Sequence, residues 1–369
     1  MKFKTKPRNA IKKVLIIAIC WTLFASISFI NQYYFVYDLV TLKKLSGTYE
    51  FWSDFVGYTF LGFLGGIIGG YLLVFKMGVR YRQKSFAFGI FNSGLLFIIF
   101  YVAVVGGGIF FLNLIYFSFQ SGFVSATIKA WNNLIVNFST ASSLIIMCVW
   151  AFVVSFTQFM LQVSDKFGPG VLWKFITGKY YHPRDEEKIF MFLDLKSSTM
   201  IAEKIGNKKF FELLKDVYTD ITEPIINSQG EIYQYVGDEV VITWPVDRGI
   251  SENNCLVCYF KIEEALEKNK NQYMNKYDFQ PSFKAGIHVG VATVGEIGVI
   301  KKDIVFSGDV LNTTSRIQKE CNNQNVNILL SSALLKRLQL DGKFEKIPLG
   351  EIELKGKEEK VALNTVIPS

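Results

Sequence analysis

The sequence predicts a chain in two parts: an all-α domain of four transmembrane helices over residues 1–163, and an α+β domain of ferredoxin-like order over 186–369, joined by a linker at 164–185. Three observations predict this. Residues 1–165 are dense in Phe, Ile, Leu, Val and Gly and poor in charge, whereas 185–369 carry the charge mix of a soluble domain. Four apolar runs in the first half approach or exceed the ~20 residues a membrane span needs. In the second half, strand-like and helix-like patterns follow one another as strand, helix, hairpin, helix, strand.

The four runs are Val14–Val36, Phe55–Phe75, Phe86–Leu112 and Leu134–Val163, and none contains Asp, Glu, Lys, Arg or His. The first is too long for a removable signal peptide and lacks a small-residue cleavage site. Gly106, Gly107 and Gly108 are the place where the third run would break. Gly62, Gly65, Gly66, Gly69 and Gly70 give overlapping GxxxG spacings, which allow helix backbones to approach closely within or between chains. Charge-free spans argue against a proton- or ion-coupled transporter.

The formal net charge is +8, and much of the excess flanks the spans. Lys2, Lys4, Lys6, Arg8, Lys12 and Lys13 precede the first run, and Lys76, Arg80, Arg82 and Lys84 lie between the second and third. Basic residues beside apolar runs are topology signals at lipid headgroups, so membrane lipid is the expected partner and nucleic acid is not. The same rule places the N-terminus in the cytoplasm, and four crossings return the C-terminal domain there. The expected location is the plasma (inner) membrane, multi-pass, with both termini cytoplasmic.

In the second half, Ile189–Leu195 reads as a buried strand and Ser197 to about Ser228 as a helical region. Glu231–Trp244 forms two β-rich runs around Val236-Gly237-Asp238, and Gly-Asp suits a hairpin tip. A helix is expected over about Glu252–Asn271, and strands at Ser282–Val289, Ala292–Ile297 and Asp303–Phe306. A helix over Asp309–Cys321, a strand at Asn327–Leu330 and a short helix over Ser332–Leu338 come next. Strands near Phe344–Pro348, Ile352–Leu354 and Val361–Val366 close the domain. Cys255 and Cys258 have CxxC spacing but fall in a predicted helix, with no second Cys pair and only two histidines in the chain, whereas a structural zinc site needs four ligands, so the pattern gives zinc little support. No GxxxxGK[ST] is present, so this is not a P-loop enzyme.

Four motifs on these elements carry a resemblance. Phe192-Leu-Asp194-Leu-Lys-Ser-Ser-Thr199, Val236-Gly-Asp238-Glu239, Ser307-Gly-Asp-Val-Leu-Asn312-Thr-Thr-Ser-Arg316 and Leu354-Lys355-Gly356 occur in this order over the soluble half. The set resembles that of the class III adenylyl and guanylyl cyclases, in a membrane-anchored form of bacterial type. The resemblance implies a cyclase catalytic domain that converts ATP, with GTP as the alternative, to the 3′,5′-cyclic monophosphate and pyrophosphate. It implies that Asp194, Asp238 and the backbone carbonyl of Leu195 hold two divalent cations, Mg²⁺ or Mn²⁺, which hard oxygen ligands suit. It assigns Asn312 to ribose orientation, Arg316 to transition-state charge and Lys355 to the triphosphate, with Lys357 as its substitute. The two aspartates and the Asn312/Arg316 pair then face each other across a head-to-tail homodimer with two shared sites.

The residues themselves are compatible with that chemistry. Asp194 ends a strand and Asp238 tips a hairpin, so neighbouring strands would bring them together. The amides of Lys196, Ser197, Ser198 and Thr199 open a helix and offer N–H groups to phosphates. Asn312 and Arg316 are four apart on a helix and share a face. The departure from the family pattern is in base selection, where Gln234 and Val305 stand in place of the usual selectors and Asp303 is a nearby substitute. Gln can donate and accept, and so can read either purine edge. A degenerate cyclase domain acting as a receptor or scaffold is the alternative. A diguanylate cyclase fits the Asn312/Arg316 helix and Lys355 less well, and the charge-free spans lend little to a channel or transporter with a nucleotide-sensing tail.

Overall fold

A computed structural model describes residues 7–43, 51–78, 84–119, 123–168, 171–340, 342–353 and 360–369. The chain divides into two compact units, Met1–Phe167 and Gly168–Ser369.

The first unit is helical. Helix α1 (Pro7–Lys43) packs on α2 (Phe51–Tyr71), which ends in a π-helical turn, Leu72–Met77. α3 (Phe86–Tyr101) runs through a second π turn, Val102–Gly106, into α4 (Gly107–Ser118). The glycines at 106–108 therefore loosen the third run without ending its helix. α5 (Phe123–Ser139) and α6 (Ala141–Phe167) follow, so the expected run from Leu134 is divided at Ser139–Thr140. Among the described residues, four helices are long and apolar enough to cross a membrane: Ala10–Tyr34, Phe55–Met77, Phe86–Val104 and Ser143–Phe167. Small residues set their spacing. A Cβ on Gly62 would lie 2.6 Å from the Ala25 Cβ, and one on Gly66 2.6 Å from the Ala18 Cα, so the GxxxG stripe of α2 seats against α1 of its own chain. Trp21 of α1 donates its indole N–H to the Thr157 hydroxyl of α6 at 3.0 Å.

The second unit opens with a short helix, α7 (Val171–Ile176), and Gly178 takes φ +61°, a left-handed turn that ends it. This junction is fastened to the domain that follows. Lys174 pairs with Glu231 at 3.3 Å, and the Glu296 amide donates to the Tyr180 carbonyl at 3.0 Å.

The domain itself runs β1 (Arg184–Leu195), α8 (Ser198–Ile205), α9 (Asn207–Asn227), β2 (Glu231–Val236) and β3 (Glu239–Pro245). It continues with α10 (Val246–Ile250), α11 (Asn254–Lys268), α12 (Lys270–Tyr277), β4 (Phe283–Ile297), β5 (Asp303–Ser307) and α13 (Asp309–Asn323). β6 (Ile328–Ser331), α14 (Ser332–Leu335), β7 (Phe344–Ile352) and β8 (Val361–Pro368) complete it. The sheet order is β2-β3-β1-β4-β6-β8-β7, with β5 paired to β4. β1 lies antiparallel between β3 and β4, the central arrangement of a ferredoxin-like α+β domain.

Alternation along β1 divides the core. Ile189, Met191, Leu193 and Leu195 point into the larger cluster, with Leu213, Val217 and Ile221 of α9 and Leu256 and Ile262 of α11. Phe190 and Phe192 point to the other face, with Val241 of β3 and Val310 of α13. Asp194 shares their phase and thus the α13 face. Cys255 and Cys258 are buried in the larger core, and burial pushes the Cys255 thiol up to about 12.

Element boundaries differ from the sequence reading in several places; the helix expected over Glu252–Asn271, for example, is divided into α11 and α12 at Asn269. The helical region after β1 breaks at Gly206, whose φ of +81° is left-handed. The strands expected on either side of Gly290-Val291 are one strand, β4, because Gly290 faces α13: a Cβ there would lie 3.0 Å from Val310. The strands expected at Phe344–Pro348 and at Ile352 merge into β7 across a bulge between Pro348 and Gly350.

Candidate active site

β1 ends with Asp194 and Leu195, and its register sets Asp194 opposite Glu239 of β3 and Lys284 of β4. Asp238 occupies the turn of the β2–β3 hairpin, beside Gly237 at φ +64°. The pairing of Asp194 with Glu239, the residue after Asp238, brings Asp238 close enough for its charge to act on Asp194. Burial, then the Asp238 charge, raises Asp194 to about 6. Glu239 is raised to about 7 by burial and by Asp194. Two carboxylates held this close repel each other when both are ionised, and a cation between them removes the penalty. The pair therefore fits a hard divalent cation. Among the described residues no group of three or more His, Cys, Asp or Glu side chains assembles as a metal site, so backbone, solvent or substrate oxygens would complete the coordination.

Two residues absent from the sequence reading hold this corner. Gln318 of α13 is 3% exposed, and its Nε2 donates to Asp194 Oδ2 at 3.3 Å. Tyr218 of α9 donates its hydroxyl to the Gly237 carbonyl at 2.7 Å and packs its ring at a tilt against Tyr235, with ring centroids 4.5 Å apart. Gln318 had a legible signal: it is a polar residue on the buried face of α13 marked by Val310, Thr314, Ile317 and Cys321. Tyr218 had none, since its partner is a main-chain carbonyl.

Gly286 of β4 makes the Gln318 contact reachable. A Cβ there would lie 2.7 Å from the Gln318 Cα and closer still to its amide nitrogen. α13 thus rests directly on the strand backbone.

The remaining candidates are placed as follows. Leu195 is buried at the end of β1. The Lys196 amide donates to the Ser282 carbonyl at 3.0 Å, and its ammonium donates to Asn327. This corrects the expectation that the Lys196 amide is open to a phosphate: the chain leaving β1 keeps one more bond to the segment before β4. Ser197 takes φ +56°, and α8 starts at Ser198, so the first-turn amides of Ser198 and Thr199 are those left without helix partners by position.

Asn312 is exposed and Arg316 half-buried on α13. At about 100° per residue the two lie about 40° apart around the helix, whereas Gln318 lies about 200° beyond Arg316. The Asn312/Arg316 face consequently turns away from the Asp194 that Gln318 touches. Gln234 is exposed on β2 and Val305 half-buried on β5. Their neighbours meet, with the Phe306 amide donating to the Tyr233 hydroxyl at 3.1 Å. Asp303 pairs with Lys301 at 2.8 Å. Lys355 and Lys357 lie outside the described residues.

Residues 180–365, half of the chain, match the family model for the adenylate and guanylate cyclase catalytic domain. The chain belongs to this cyclase family. Adenylate cyclase 2 of Rhizobium meliloti (strain 1021) is 37% identical over 205 residues, which are 56% of this chain and 56% of that protein. Adenylate cyclase 1 of the same organism is 28% identical over 210 residues, 55% of this chain and 29% of that one. The chain thus spans about half the length, or less, of these relatives. Among solved structures, a bacterial light-regulated adenylyl cyclase aligns with a TM-score of 0.52 at 18% identity, covering 63% of this chain and 66% of that one. The cyclase fold is shared, and Asp194, Asp238, Gln234, Val305, Asn312 and Arg316 all fall inside the matched family region.

Proposed function

We propose that this chain is a membrane-anchored adenylate cyclase that forms 3′,5′-cyclic AMP and pyrophosphate from ATP. The observation that carries the reading is that the end of β1, with Asp194, lies beside the β2–β3 turn, with Asp238, within the matched cyclase region. The adenylate cyclase relatives favour ATP over GTP. The four apolar helices favour insertion in the plasma (inner) membrane, and the basic flanks favour a cytoplasmic N-terminus and catalytic domain.

In the proposed reaction the ribose 3′-oxygen forms a bond to the α-phosphorus, the bond from that phosphorus to the pyrophosphate oxygen breaks, and the 3′-hydroxyl proton passes to solvent water. Asp194, Asp238 and the Leu195 carbonyl would hold two divalent cations, Mg²⁺ or Mn²⁺, which supply charge to the attacking and leaving oxygens. The amides of Ser198 and Thr199 bind phosphate oxygens, and Lys355 binds the triphosphate. Asn312 orients the ribose. Arg316 places its planar fork of donors on the charge that develops at phosphorus. Gln234 and Val305 line the base. Because the Asn312/Arg316 face turns away from its own Asp194, the two sets are best completed by a second copy, giving a homodimer with shared sites.

The test is direct. The full-length chain in detergent is supplied with ATP or GTP and Mg²⁺ or Mn²⁺, and cyclic products are quantified by mass spectrometry. Cyclic AMP from the native chain, reduced at least 1,000-fold by Asp194→Ala (about 4 kcal/mol of barrier), is the expected result. Cyclic GMP instead would reassign the base. No cyclic product from a folded dimer would turn the reading to a degenerate receptor or scaffold.

A further inference from the structure

At one end of the helical unit α1 begins, α2 ends, α3 begins and α6 ends, and between them lies a cavity of about 220 Å³. That is many times the ~10–15 Å³ of such space that one water needs. Among the described residues its walls mix apolar side chains with three lysines, Lys13, Lys84 and Lys166, against one carboxylate, Asp165. Lys13 pairs with Asp165 at 2.7 Å, so the lining keeps an excess of positive charge.

The cavity also contains two amides. Gln158 is 1% exposed and Gln162 half-buried, and among the described residues Gln158 Oε1 and Gln162 Nε2 are buried without a hydrogen-bond partner. A buried polar atom left unpaired costs about 1–3 kcal/mol. Gln158, Gln162 and Asp165 recur at i, i+4 and i+7, so an otherwise apolar helix turns one polar stripe toward this space. Gly89 of α3 keeps the wall close, since a Cβ there would lie 2.5 Å from Gln162 Nε2. Water alone would satisfy the two amides, whereas an anion would satisfy them and also balance the basic residues that flank the spans at this end. An occupant that satisfies all of these groups is anionic, accepts hydrogen bonds from Gln162 and the lysines, and donates one to Gln158.

We propose that this cavity binds a phosphate oxyanion carrying or adjoining a hydroxyl or ammonium donor, the chemistry of a phospholipid headgroup such as that of phosphatidylglycerol. The assignment rests on the membrane-spanning reading, under which this end of the bundle lies at the headgroup level. Free phosphate shares the chemistry, and the experiment separates the two sources.

The full-length chain is purified in lipid-free, phosphate-free detergent and titrated with dioctanoyl phosphatidylglycerol, with dioctanoylglycerol, and with inorganic phosphate. Bound adducts are counted by native mass spectrometry, and the unfolding midpoint is followed in parallel. One saturable phosphatidylglycerol adduct with a raised midpoint is expected, and none with dioctanoylglycerol. Gln158→Leu/Gln162→Leu and, separately, the rim pair Lys84→Gln/Lys166→Gln should each weaken binding at least 10-fold. The rim pair retains the buried amides and serves if the glutamine pair fails to fold. Inorganic phosphate that binds and displaces the lipid, with the same losses in the variants, would support the site with free phosphate as its ligand. Absence of saturable binding by either phosphate ligand, or binding undiminished in the rim variant, overturns the proposal. Release of the chain from cell membranes by alkaline carbonate would instead refute the membrane reading, independently of the detergent titration.

Discussion

Asp194 sits between two opposed influences. Asp238 and burial favour its protonated form, while the Gln318 amide and Lys284 favour the carboxylate. The Gln318 hydrogen bond also fixes which oxygen points toward α13, leaving the rest of the carboxylate for a ligand on the other side. Gln318→Leu keeps most of the side-chain volume and removes the donor. It should lower kcat/KM about 10-fold, or about 1.4 kcal/mol, and raise the Mn²⁺ concentration giving half-maximal activity. A change in unfolding midpoint with unaltered metal dependence would make Gln318 merely a packing residue. The same scale explains what sequence reading missed. Lys196 looked available because its amide follows a strand and precedes a helix, yet Ser282 takes it. That pairing joins positions distant in sequence, and no local pattern reports it.

At the scale of elements, α13 is positioned by the absence of side chains beneath it. Gly286 and Gly290 are four apart on β4, so both face the helix, and each is a point of close approach to it. Gly286→Ala would drive a methyl group against the Gln318 backbone, and overpacking of this kind costs about 1–3 kcal/mol. The expected result is a lower unfolding midpoint of the full chain together with loss of cyclase activity, because Gln318, Asn312 and Arg316 all ride on this helix. An unchanged midpoint would show that the helix moves off the strand at no cost. The hairpin is anchored from the opposite side of the sheet, where Tyr218 of α9 holds the Gly237 carbonyl and so fixes the turn that carries Asp238. The junction before β1 is likewise built into the domain through Lys174–Glu231 and the Tyr180 carbonyl, which gives motion in this segment a route to β2 and β4.

At the scale of the molecule, the two chemical halves of the proposed site lie on one chain but do not converge. Gln318 faces Asp194 from the flank of α13 opposite Asn312 and Arg316. Co-expressing Asp194→Ala with Arg316→Ala, each inactive alone, should restore activity, up to about a quarter or a half of the native level depending on how chains assort. Mixed dimers that form and remain inactive would exclude the shared site. In the helical unit, Gly62, Gly66, Gly69 and Gly70 of α2 are covered by α1, so most of the glycine stripe is unavailable as a seam between copies, and Gly65 faces open space. In the proposed homodimer, contacts between copies would then belong to other surfaces, the Asn312/Arg316 face of α13 foremost.

Much of this protein was determined by its sequence alone. Apolar runs of spanning length, the alternation in β1 and the Gly-Asp turn are local patterns, and each follows from the period of a helix or strand or from the backbone freedom of glycine. Asp194, Asp238, Asn312 and Arg316 were legible as candidates because their motifs lie on those elements in order. Only the tertiary structure decided the rest. Gln318 against Asp194, Tyr218 against Gly237, the single long β4 and the amides of Gln158 and Gln162 around one cavity all depend on which elements become neighbours. A polar atom shows its purpose only when its partner, or the lack of one, is in place. That information resides in long-range packing, where residues more than a hundred positions apart, such as Asp194 and Gln318, share one hydrogen bond.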